Sequence, residues 1–359
     1  MIKLRKIQEA DIKNKKVFLR VDVDVPIENN TIKDDSRLKA WFPTLEYLLK
    51  NQAEVFLGGH LGRPKKQFSI YKSQLKVSES KLSLKPVARW INKELELHSN
   101  IEEVEVNGFK AFKTKGNVVI LENLRFYKEE EKNDDNFSKQ LASIGEVYIN
   151  DAFASSHRKH ASIVGITKYL PSFAGLRLLE EVEVLGKILE KPKRPLCIVL
   201  GGAKIETKLP LVEQMHIFAD FVLVGGEIAE NDRILLKVQH EKINGKKSVL
   251  IIADLTKDNK DITPKSAQNF LQIAQTSETI VWNGPLGFVE KKKSRVGTYI
   301  FSHGLSKILN FKVVGGGDTL SFLKEENLLK DFSFDSIGGG AMLEFLADDK
   351  LPGLVALEK

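Results

Sequence analysis

Short apolar runs, many of them rich in β-branched residues, recur along the chain, and this pattern constrains the fold more than any other feature. Each run is followed by a cluster of glycine or polar residues and then by a helical stretch. Runs that are apolar on both faces and alternate with helices are typical of parallel strands with helices on both sides. The sequence therefore predicts a doubly wound α/β architecture with ligands at the carboxyl ends of its strands. The predicted strands cover residues 17–21, 54–57, 117–121, 146–149, 196–200, 221–224, 248–252, 279–282 and 312–314.

The length of the chain, 359 residues, is enough for about two domains. Between its halves, apolar side chains with helical spacing predict a helix that carries Leu179, Val182, Leu185 and Leu189 on one face. Two prolines, Pro192 and Pro195, stop this helix. We expect one domain over residues 1–172, a linker helix over 173–192 and a second domain over 193–345.

The composition is that of a folded globular protein, with 42% hydrophobic residues and a net charge of 55 − 48 = +7. The basic residues are mixed with acidic ones, as in residues 128–132, so a solvated mixed surface is expected rather than a nucleic-acid site. Cys197 lies in an apolar run, where we expect a packed thiol and no disulfide. No apolar stretch approaches the roughly 18 residues of a membrane span, so we expect a cytoplasmic protein without a membrane partner.

In the first half of the chain, the ends of the predicted strands carry charged and imidazole side chains. Each of them alone is expected to be an ordinary surface residue. Several arginines at the same end of neighbouring strands form an anion site, because the planar guanidinium matches carboxylate and phosphate. The first half therefore predicts a site for a small polyanion. These strand-end residues include Arg20, Asp22, Asp24, His60, Arg63, Arg125, His157 and Arg158.

In the second half, the strand ends carry glycine instead, at positions 201–202, 225–226, 284, 315–317 and 338–340. Backbone N–H groups in glycine turns, together with the amino end of a following helix, bind phosphate oxygens. We therefore predict a site for a nucleotide polyphosphate. Lys204 and Lys208 would lie on one helix face toward its phosphates. Asp318 is either a carboxylate for Mg²⁺ or a helix N-cap.

Known short motifs for nucleotide chemistry are absent from the sequence. There is no G-x-x-x-x-G-K-[ST], no protein-kinase H-R-D and no G-x-G-x-x-G in the first βαβ unit. The residues alone leave open a phosphotransferase, a dinucleotide oxidoreductase and an anion-binding protein without activity.

Long motifs in register over nearly the whole chain resemble the phosphoglycerate kinase family. They cover residues 20–26, 60–64, 150–153, 157–162, 200–204, 281–285, 315–319 and 338–341. The resemblance implies two Rossmann-like domains joined by a hinge helix, with residues 346–359 returning to the first domain. It also implies a monomer that transfers a phosphoryl group between magnesium ATP or ADP and 3-phosphoglycerate or 1,3-bisphosphoglycerate.

The resemblance also assigns site residues. It implies substrate contacts at Asp22, Asp24, Arg37, His60, Arg63, Arg125 and Arg158. It implies nucleotide contacts at Gly202, Ala203, Lys204, Lys208, Asn283, Glu290, Asp318 and Thr319, with Asp318 toward Mg²⁺. The groups expected at the transferring phosphoryl group are Arg37, Lys204, Gly316 and Gly339.

The sequence departs from the family pattern at three places, one of which is Ile337, where the family has threonine before the glycine triplet. Asp24 stands where the family has asparagine, which puts a carboxylate beside an anionic ligand. The segment from Gly225 to about Pro264 is shorter than in the family and borders the expected adenine and ribose pocket. An alternative is therefore a catalytically weakened relative that only binds nucleotides or anions. An oxidoreductase is disfavoured because no dinucleotide motif is present.

Overall fold

The computed structural model describes residues 2–65, 67–70, 81–97, 99–202, 214–231 and 248–359. Contacts between Cα atoms divide the chain into two compact units. We call residues 2–182 together with 350–359 the first unit, and residues 183–349 the second unit.

The first unit is built on a seven-stranded sheet. The strands of this sheet are β1 (Lys16–Val21), β4 (Glu54–Gly58), β5 (Glu102–Val106), β6 (Phe109–Lys113), β7 (Val118–Leu121), β8 (Val147–Asp151) and β9 (Ser172–Ala174). Two further strands, β2 (Ile27–Glu28) and β3 (Thr31–Ile32), form a separate hairpin. The order across the sheet is β5-β6-β7-β4-β1-β8-β9. The strands from β7 to β9 are parallel, as the apolar runs predict.

The helices of the first unit lie between these strands along the chain. They are α1 (Ser36–Lys50), α2 (Lys85–Glu94), α3 (Lys128–Glu131), α4 (Asp135–Ala142) and the start of α5 (Leu176–Glu190). Val17 and Leu19 of β1 belong to a buried cluster that includes Trp41 of α1 and Trp90 of α2. Phe18 lies with its ring 6.1 Å from that of Tyr148. Both faces of β1 are therefore buried, which explains why the apolar residues Val17, Phe18 and Leu19 follow one another.

One edge of this sheet was not predicted. Strands β5 and β6 form an antiparallel hairpin, and β6 pairs antiparallel with β7. The hairpin turns at Asn107 and Gly108, whose φ angles of 48° and 84° suit the tight turns that an Asn-Gly pair forms. The parallel sheet thus carries an antiparallel edge, which is common in α/β proteins.

The helix predicted between the two halves is present as α5, and it ends at Glu190, before Pro192. Its buried residues are Leu178, Val182, Leu185 and Ile188. Leu179 and Leu189, which helical spacing groups with Val182 and Leu185, are only half-buried. The fully buried apolar positions therefore differ from the predicted set by one residue at each end.

The carboxyl-terminal segment packs within the first unit and includes the short helix α11 (Pro352–Val355). The Arg5 amide donates a hydrogen bond to the Leu357 carbonyl at 3.0 Å, and the Lys359 amide donates one to the Lys3 carbonyl at 2.9 Å. These bonds join the two ends of the described chain in one small antiparallel contact.

The second unit is built on a six-stranded sheet in which every strand pair is parallel. Its strands are β10 (Leu196–Leu200), β11 (Phe221–Val224), β12 (Val249–Ile252), β13 (Thr279–Asn283), β14 (Phe311–Gly315) and β15 (Phe334–Ser336). The order is β12-β11-β10-β13-β14-β15. Its described helices are α6 (Glu227–Asn231), α7 (Pro264–Gln275), α8 (Val296–Ser306), α9 (Gly317–Glu325) and α10 (Gly339–Ala347).

The core of the second unit forms around Trp282 of β13, whose ring lies 5.3 Å from that of Phe301 in an edge-to-face contact. Cys197 is buried in the same core, and burial raises the pKa of its thiol to about 12. The thiol is a packing group, as predicted from its apolar run. No helix in the described part of the chain is long and apolar enough to cross a membrane.

Candidate functional site

The parallel register of the first sheet gathers its polar strand ends at one edge. Arg20 of β1 is level with Gly58 of β4 and with Asn150 of β8. The segments that leave these strands carry Asp22, Asp24, His60, Arg63 and Arg158, and Arg125 follows β7. The edge of the sheet therefore collects the residues that the sequence predicts for an anion site.

Arg125 is the most informative of these residues. Its guanidinium is 2% exposed, and Nη1 donates a hydrogen bond to the Gly62 carbonyl at 2.9 Å. Nε lies 3.6 Å from the Glu131 carboxylate, and neither Nε nor Nη2 has a hydrogen-bond partner among the described residues. An unused donor on a buried guanidinium is costly unless an acceptor reaches it. Arg125 therefore marks a place for an anionic ligand.

Arg158 and Arg63 add positive charge to the same edge. Arg158 is half-buried, and its Nε donates to Nε2 of His157 at 3.2 Å. Burial lowers the pKa of Arg158, and the charges of Arg63 and Arg20 lower it further. Arg63 is exposed. Like charges held close together repel each other in the absence of an anion, so a bound polyanion relieves this repulsion.

Both carboxylate oxygens of Asp22 accept hydrogen bonds from the protein itself. Asp22 is 2% exposed and accepts hydrogen bonds from the Ser155 hydroxyl at 2.7 Å and from the Ala154 amide at 2.8 Å. Its carbonyl accepts a hydrogen bond from the Trp41 indole at 3.0 Å. Asp22 thereby holds the segment after β8, which carries Arg158, against β1.

Asp24 and Arg37 are linked through the backbone. Oδ1 of Asp24 accepts a hydrogen bond from the Gly62 amide at 2.9 Å, and the Asp24 carbonyl accepts one from Nη1 of Arg37 at 2.9 Å. Asp24 is half-buried and its charge lies next to the segment that carries Arg63. The departure from the family's asparagine thus affects the charge of this edge while the amide–oxygen contact to Gly62 is retained.

His60 is a neutral group in this cluster. It is 5% exposed, and its Nδ1 lies 3.0 Å from Nη2 of Arg20. Burial lowers its pKa well below the usual value, and the positive charges of Arg20, Arg158 and Arg37 lower it further. At neutral pH the ring is therefore a hydrogen-bonding group and carries no charge.

In the second unit, glycine turns approach each other at the carboxyl ends of the strands. The Gly201 amide donates to the Asn283 carbonyl at 2.9 Å, and the Gly202 amide donates to the Pro285 carbonyl at 2.8 Å. A side chain on Gly201 would collide with the Pro285 and Gly284 carbonyls. These turns require glycine because their backbones are in direct contact.

Gly316 and Gly339 come together at the next strand ends. Gly316 is the N-cap of α9 with a φ of 97°, which is unfavourable for any other residue. A Cβ on Gly339 would lie 3.4 Å from the Gly316 Cα, and the Gly339 carbonyl accepts a hydrogen bond from the Asn283 side chain at 2.8 Å. Thr319 is fully buried and its hydroxyl has no partner among the described residues. The predicted residues thus surround the amino end of one helix, where phosphate binds readily.

Asp318 lies in the first turn of α9 and is exposed. It is not the N-cap, so that alternative for Asp318 is wrong. Among the described residues, no group of three or more His, Cys, Asp or Glu side chains could hold a metal ion. A lone carboxylate fits Mg²⁺ that is bound mainly through nucleotide phosphates and water.

An open cleft of about 120 Å³ lies beside these turns within the second unit. Gly202, Glu290 and Asp318, which the sequence predicts for the nucleotide site, line this cleft together. Ala203, Lys204 and Lys208 lie outside the described residues. Gly226, Glu227, Asn259 and Lys260 also line the cleft, and they lie in the segment expected to border the adenine and ribose pocket. Pro285, which belongs to a family motif, lines it as well, together with Gly287 and Phe288, which the sequence analysis did not assign.

The family model described as "Phosphoglycerate kinase" matches residues 7–250 and 232–349 of the chain. The chain belongs to the phosphoglycerate kinase family. A phosphoglycerate kinase from Coprothermobacter proteolyticus is 37% identical to it, with 99% of each chain covered. One from Moorella thermoacetica is 35% identical, with 98% of each chain covered.

Solved structures of phosphoglycerate kinases share the fold. The structure from Coxiella burnetii has a TM-score of 0.81 at 30% identity and covers 99% of both chains. The structure from Pyrococcus horikoshii has a TM-score of 0.82 at 26% identity, covering 99% of this chain and 98% of that one. The predicted family and the predicted α/β fold are therefore confirmed.

The family motifs explain which residues of the site could be predicted from the sequence. The family motifs point to glycines and charged residues at strand ends, and these include Gly202 and Asp318. Asn259 and Lys260 lie in the stretch that departs from the family, so no motif signals them. Phe288 follows the motif Asn283-Gly284-Pro285 closely, and this proximity is the one signal that could have indicated it.

Proposed function

We propose that this chain catalyses the reversible transfer of a phosphoryl group between ATP and the carboxylate of 3-phosphoglycerate, with ADP and 1,3-bisphosphoglycerate as the other pair. The observation that carries the proposal is the buried Arg125 guanidinium at the arginine-rich edge of the first sheet, whose Nε and Nη2 have no hydrogen-bond partner among the described residues. The family match over nearly the whole chain supports the same reaction.

The first unit supplies the binding of the acidic substrate. Arg125 and Arg158 donate charge-assisted hydrogen bonds to its anionic groups, and Arg63 adds charge from the surface. The attacking carboxylate of 3-phosphoglycerate is ionised at neutral pH, so the reaction needs no general base. The task of the chain is then to align the substrate and to compensate the negative charge of the transferring group.

The second unit supplies the binding of the nucleotide. The cleft accommodates base and ribose, with Glu290 at the ribose, and the helix α9 with its glycine turn binds phosphate through backbone N–H groups. Asn283 keeps the Gly339 turn in place, and Thr319 offers its hydroxyl. Asp318 would hold Mg²⁺, which neutralises phosphate charge when bound. Gly316 and Gly339 frame the transferring group from this side.

A coupled assay tests this function directly. The purified chain is mixed with ATP, Mg²⁺ and 3-phosphoglycerate, and the 1,3-bisphosphoglycerate formed is reduced by a coupling dehydrogenase, so that NADH is consumed. We expect NADH consumption that depends on both substrates. Nucleotide binding by calorimetry without any turnover would instead support the weakened, binding-only relative. Nothing in the comparisons favours that alternative.

Replacing Lys204 by alanine tests the transfer step. We propose that Lys204 and Arg37 approach the transferring phosphoryl group, where charge develops in the transition state. We expect Lys204→Ala to lower turnover on the order of 10²-fold with little change in KM, because the lost interaction forms in the transition state. The exposed Lys307 offers a control of equal charge change, and Lys307→Ala should behave like the parent. Parent-level turnover in Lys204→Ala would remove Lys204 from the mechanism.

Replacing Asp24 by asparagine tests the unusual charge at the anion site. Asparagine keeps the oxygen that accepts from the Gly62 amide and removes one negative charge. We expect KM for 3-phosphoglycerate to fall about threefold, which corresponds to about 0.6 kcal/mol of repulsion across a solvated site. Asp24→Ala removes the acceptor as well and should raise KM. An unchanged or higher KM in Asp24→Asn would contradict the repulsion.

Further features of the reaction remain proposals. We propose that the chain acts as a monomer in the cytoplasm and that a hinge motion brings the two substrates together, as the family resemblance implies. Relatives named for two compartments are similar to this chain, a cytosolic one from wheat and a chloroplastic one from Arabidopsis thaliana. Sedimentation and scattering with and without both substrates would test the oligomeric state and the motion.

A further inference from the structure

Each of the three nitrogen atoms of the Arg20 guanidinium has a hydrogen-bond partner inside the first unit. Arg20 is fully buried. Nε donates to the Ser162 hydroxyl at 2.9 Å, Nη1 donates to the Val21 carbonyl, and Nη2 lies 3.0 Å from Nδ1 of His60. The guanidinium of Arg20 therefore binds groups of the protein itself, and one of these groups is the His60 ring.

The chemistry of the two groups decides how they are bonded. A guanidinium carries only donors and stays protonated in proteins. Nδ1 of His60 must then be the acceptor, so it carries no hydrogen. A neutral imidazole without a hydrogen on Nδ1 has one on Nε2. We infer that Arg20 is a positioning residue that holds His60 as the neutral Nε2–H tautomer, so that His60 offers the acidic substrate one fixed hydrogen-bond donor.

Arg20 is itself held in place from its other side. The Ser162 hydroxyl, which accepts from Arg20, donates to Oε1 of Glu130, and the Ser162 amide donates to Oε2 at 3.0 Å. The Tyr148 hydroxyl donates to the Ser162 carbonyl at 2.7 Å. Glu130 is fully buried, and the positive charge that acts on its carboxyl group is that of Arg20. The direction of the guanidinium is thus set by a chain of contacts from α3 through Ser162 to His60.

The charges around His60 also oppose its protonation. Burial disfavours a positive charge on the ring, and the charges of Arg20, Arg158 and Arg37 disfavour it further. A hydrogen on Nδ1 would in addition point at an N–H of Arg20. Burial lowers the pKa of His160 to about 4, so His160 is neutral as well. The described side chains around the ring therefore leave His60 neutral across the physiological range.

The hydrogen bond between the His60 ring and the described residues is at Nδ1, so the hydrogen on Nε2 is available to a ligand. His60 lies at the edge that also carries the unused donors of Arg125. The role of this donor toward 3-phosphoglycerate rests on the proposed function, whereas the tautomer itself does not. The two parts are therefore tested separately.

Nitrogen-15 NMR of the full chain labelled on histidine, without substrate, tests the tautomer. The signal of His60 is assigned by its loss in His60→Gln. We expect a protonated Nε2 and an unprotonated Nδ1, unchanged between about pH 5.5 and pH 8. A hydrogen on Nδ1, a mixture of tautomers or titration within this range would overturn the inference. In Arg20→Gln, where a side-chain amide replaces the donor-only group, the ring should titrate; if that variant does not fold, the spectrum of the parent decides.

Kinetics with 3-phosphoglycerate test the donor role. Glutamine places an N–H donor near the position of Nε2, whereas the amide of asparagine is too short to reach it. We expect KM to rise about threefold in His60→Gln and about 30-fold in His60→Asn, because a hydrogen bond to a charged ligand is lost only in the second. Equal increases in both variants would refute the donor role. Absence of any turnover in the parent would refute the proposed function and leave the NMR result standing.

Discussion

Replacing Gly201 by alanine is expected to destabilise the second unit by about 3 kcal/mol, because the new methyl group overlaps backbone atoms that cannot move aside. An added Cβ would lie 2.6 Å from the Gly284 carbonyl oxygen and closer still to that of Pro285. The hydrogen bond from the Gly201 amide to the Asn283 carbonyl, at 2.9 Å, joins the same two turns. Relieving the overlap would pull β10 away from β13 at the point where both lead into the cleft of the second unit.

Urea denaturation followed by circular dichroism measures this loss of stability. Gly340→Ala is the matched control, because an added Cβ there has no neighbouring atom within 4 Å and alanine favours the helix α10. We expect the midpoint to fall for Gly201→Ala and to stay or rise slightly for Gly340→Ala. Equal midpoints for Gly201→Ala and the parent would show that the two turns separate easily.

The parallel strands were predictable because a strand buried on both faces leaves a continuous apolar run. Val17 to Leu19 and Leu196 to Leu200 are such runs, and both lie inside their sheets. The hairpin of β5 and β6 was not predicted, because Glu103 and Glu105 alternate with Val104 and Val106 in the half-exposed edge strand β5. Because this strand has no continuous apolar run, the pattern that identified the buried strands does not identify it. The Asn107-Gly108 pair between two such strands is the local signal for the hairpin.

The site residues were predictable where they directly follow a strand, and less so where contacts join distant parts of the chain. His60 and Gly316 come immediately after strands whose ends the apolar runs indicate. Ser162, which contacts Arg20, is 142 positions from it, and Glu130 is 32 positions from Ser162, so no local pattern connects these residues. The phase of α5 is a further case: Leu178 is fully buried while Leu179 packs half-buried against the core of the first unit, and helical spacing alone does not distinguish the two.

A buried carboxyl group in the first unit gives the stability of the protein a strong dependence on pH. Asp151 ends β8 and is fully buried, and its Oδ1 accepts a hydrogen bond from the Leu178 amide at 2.8 Å. Its Oδ2 has no partner among the described residues. Burial raises the pKa of Asp151 to about 7, although the Thr44 hydroxyl, the Leu178 amide and the charge of Arg177 act in the opposite direction.

The sign of the effect follows from the two pKa values. The unfolded chain releases the Asp151 proton near pH 3.8, whereas the folded chain keeps it until about pH 7. Between these values the folded state binds more protons, so the free energy of unfolding falls as pH rises through this window. At 1.36 kcal/mol for each pH unit, the whole window contributes about 4 kcal/mol, and the part between pH 5 and pH 7 contributes about 3 kcal/mol.

Replacing Asp151 by asparagine should remove this dependence, because the amide does not ionise. We expect the loss of unfolding free energy between pH 5 and pH 8 to be about 3 kcal/mol smaller in Asp151→Asn than in the parent. In a Trp282→Phe background the remaining tryptophans, Trp41 and Trp90, both lie in the first unit, so their fluorescence during urea denaturation reports on that unit alone. The exposed Glu46 provides the control variant Glu46→Gln, which should follow the parent. If Asp151→Asn kept the pH dependence of the parent, the folded chain would have to hold Asp151 ionised, and the missing partner of Oδ2 would have to be a water molecule or a cation.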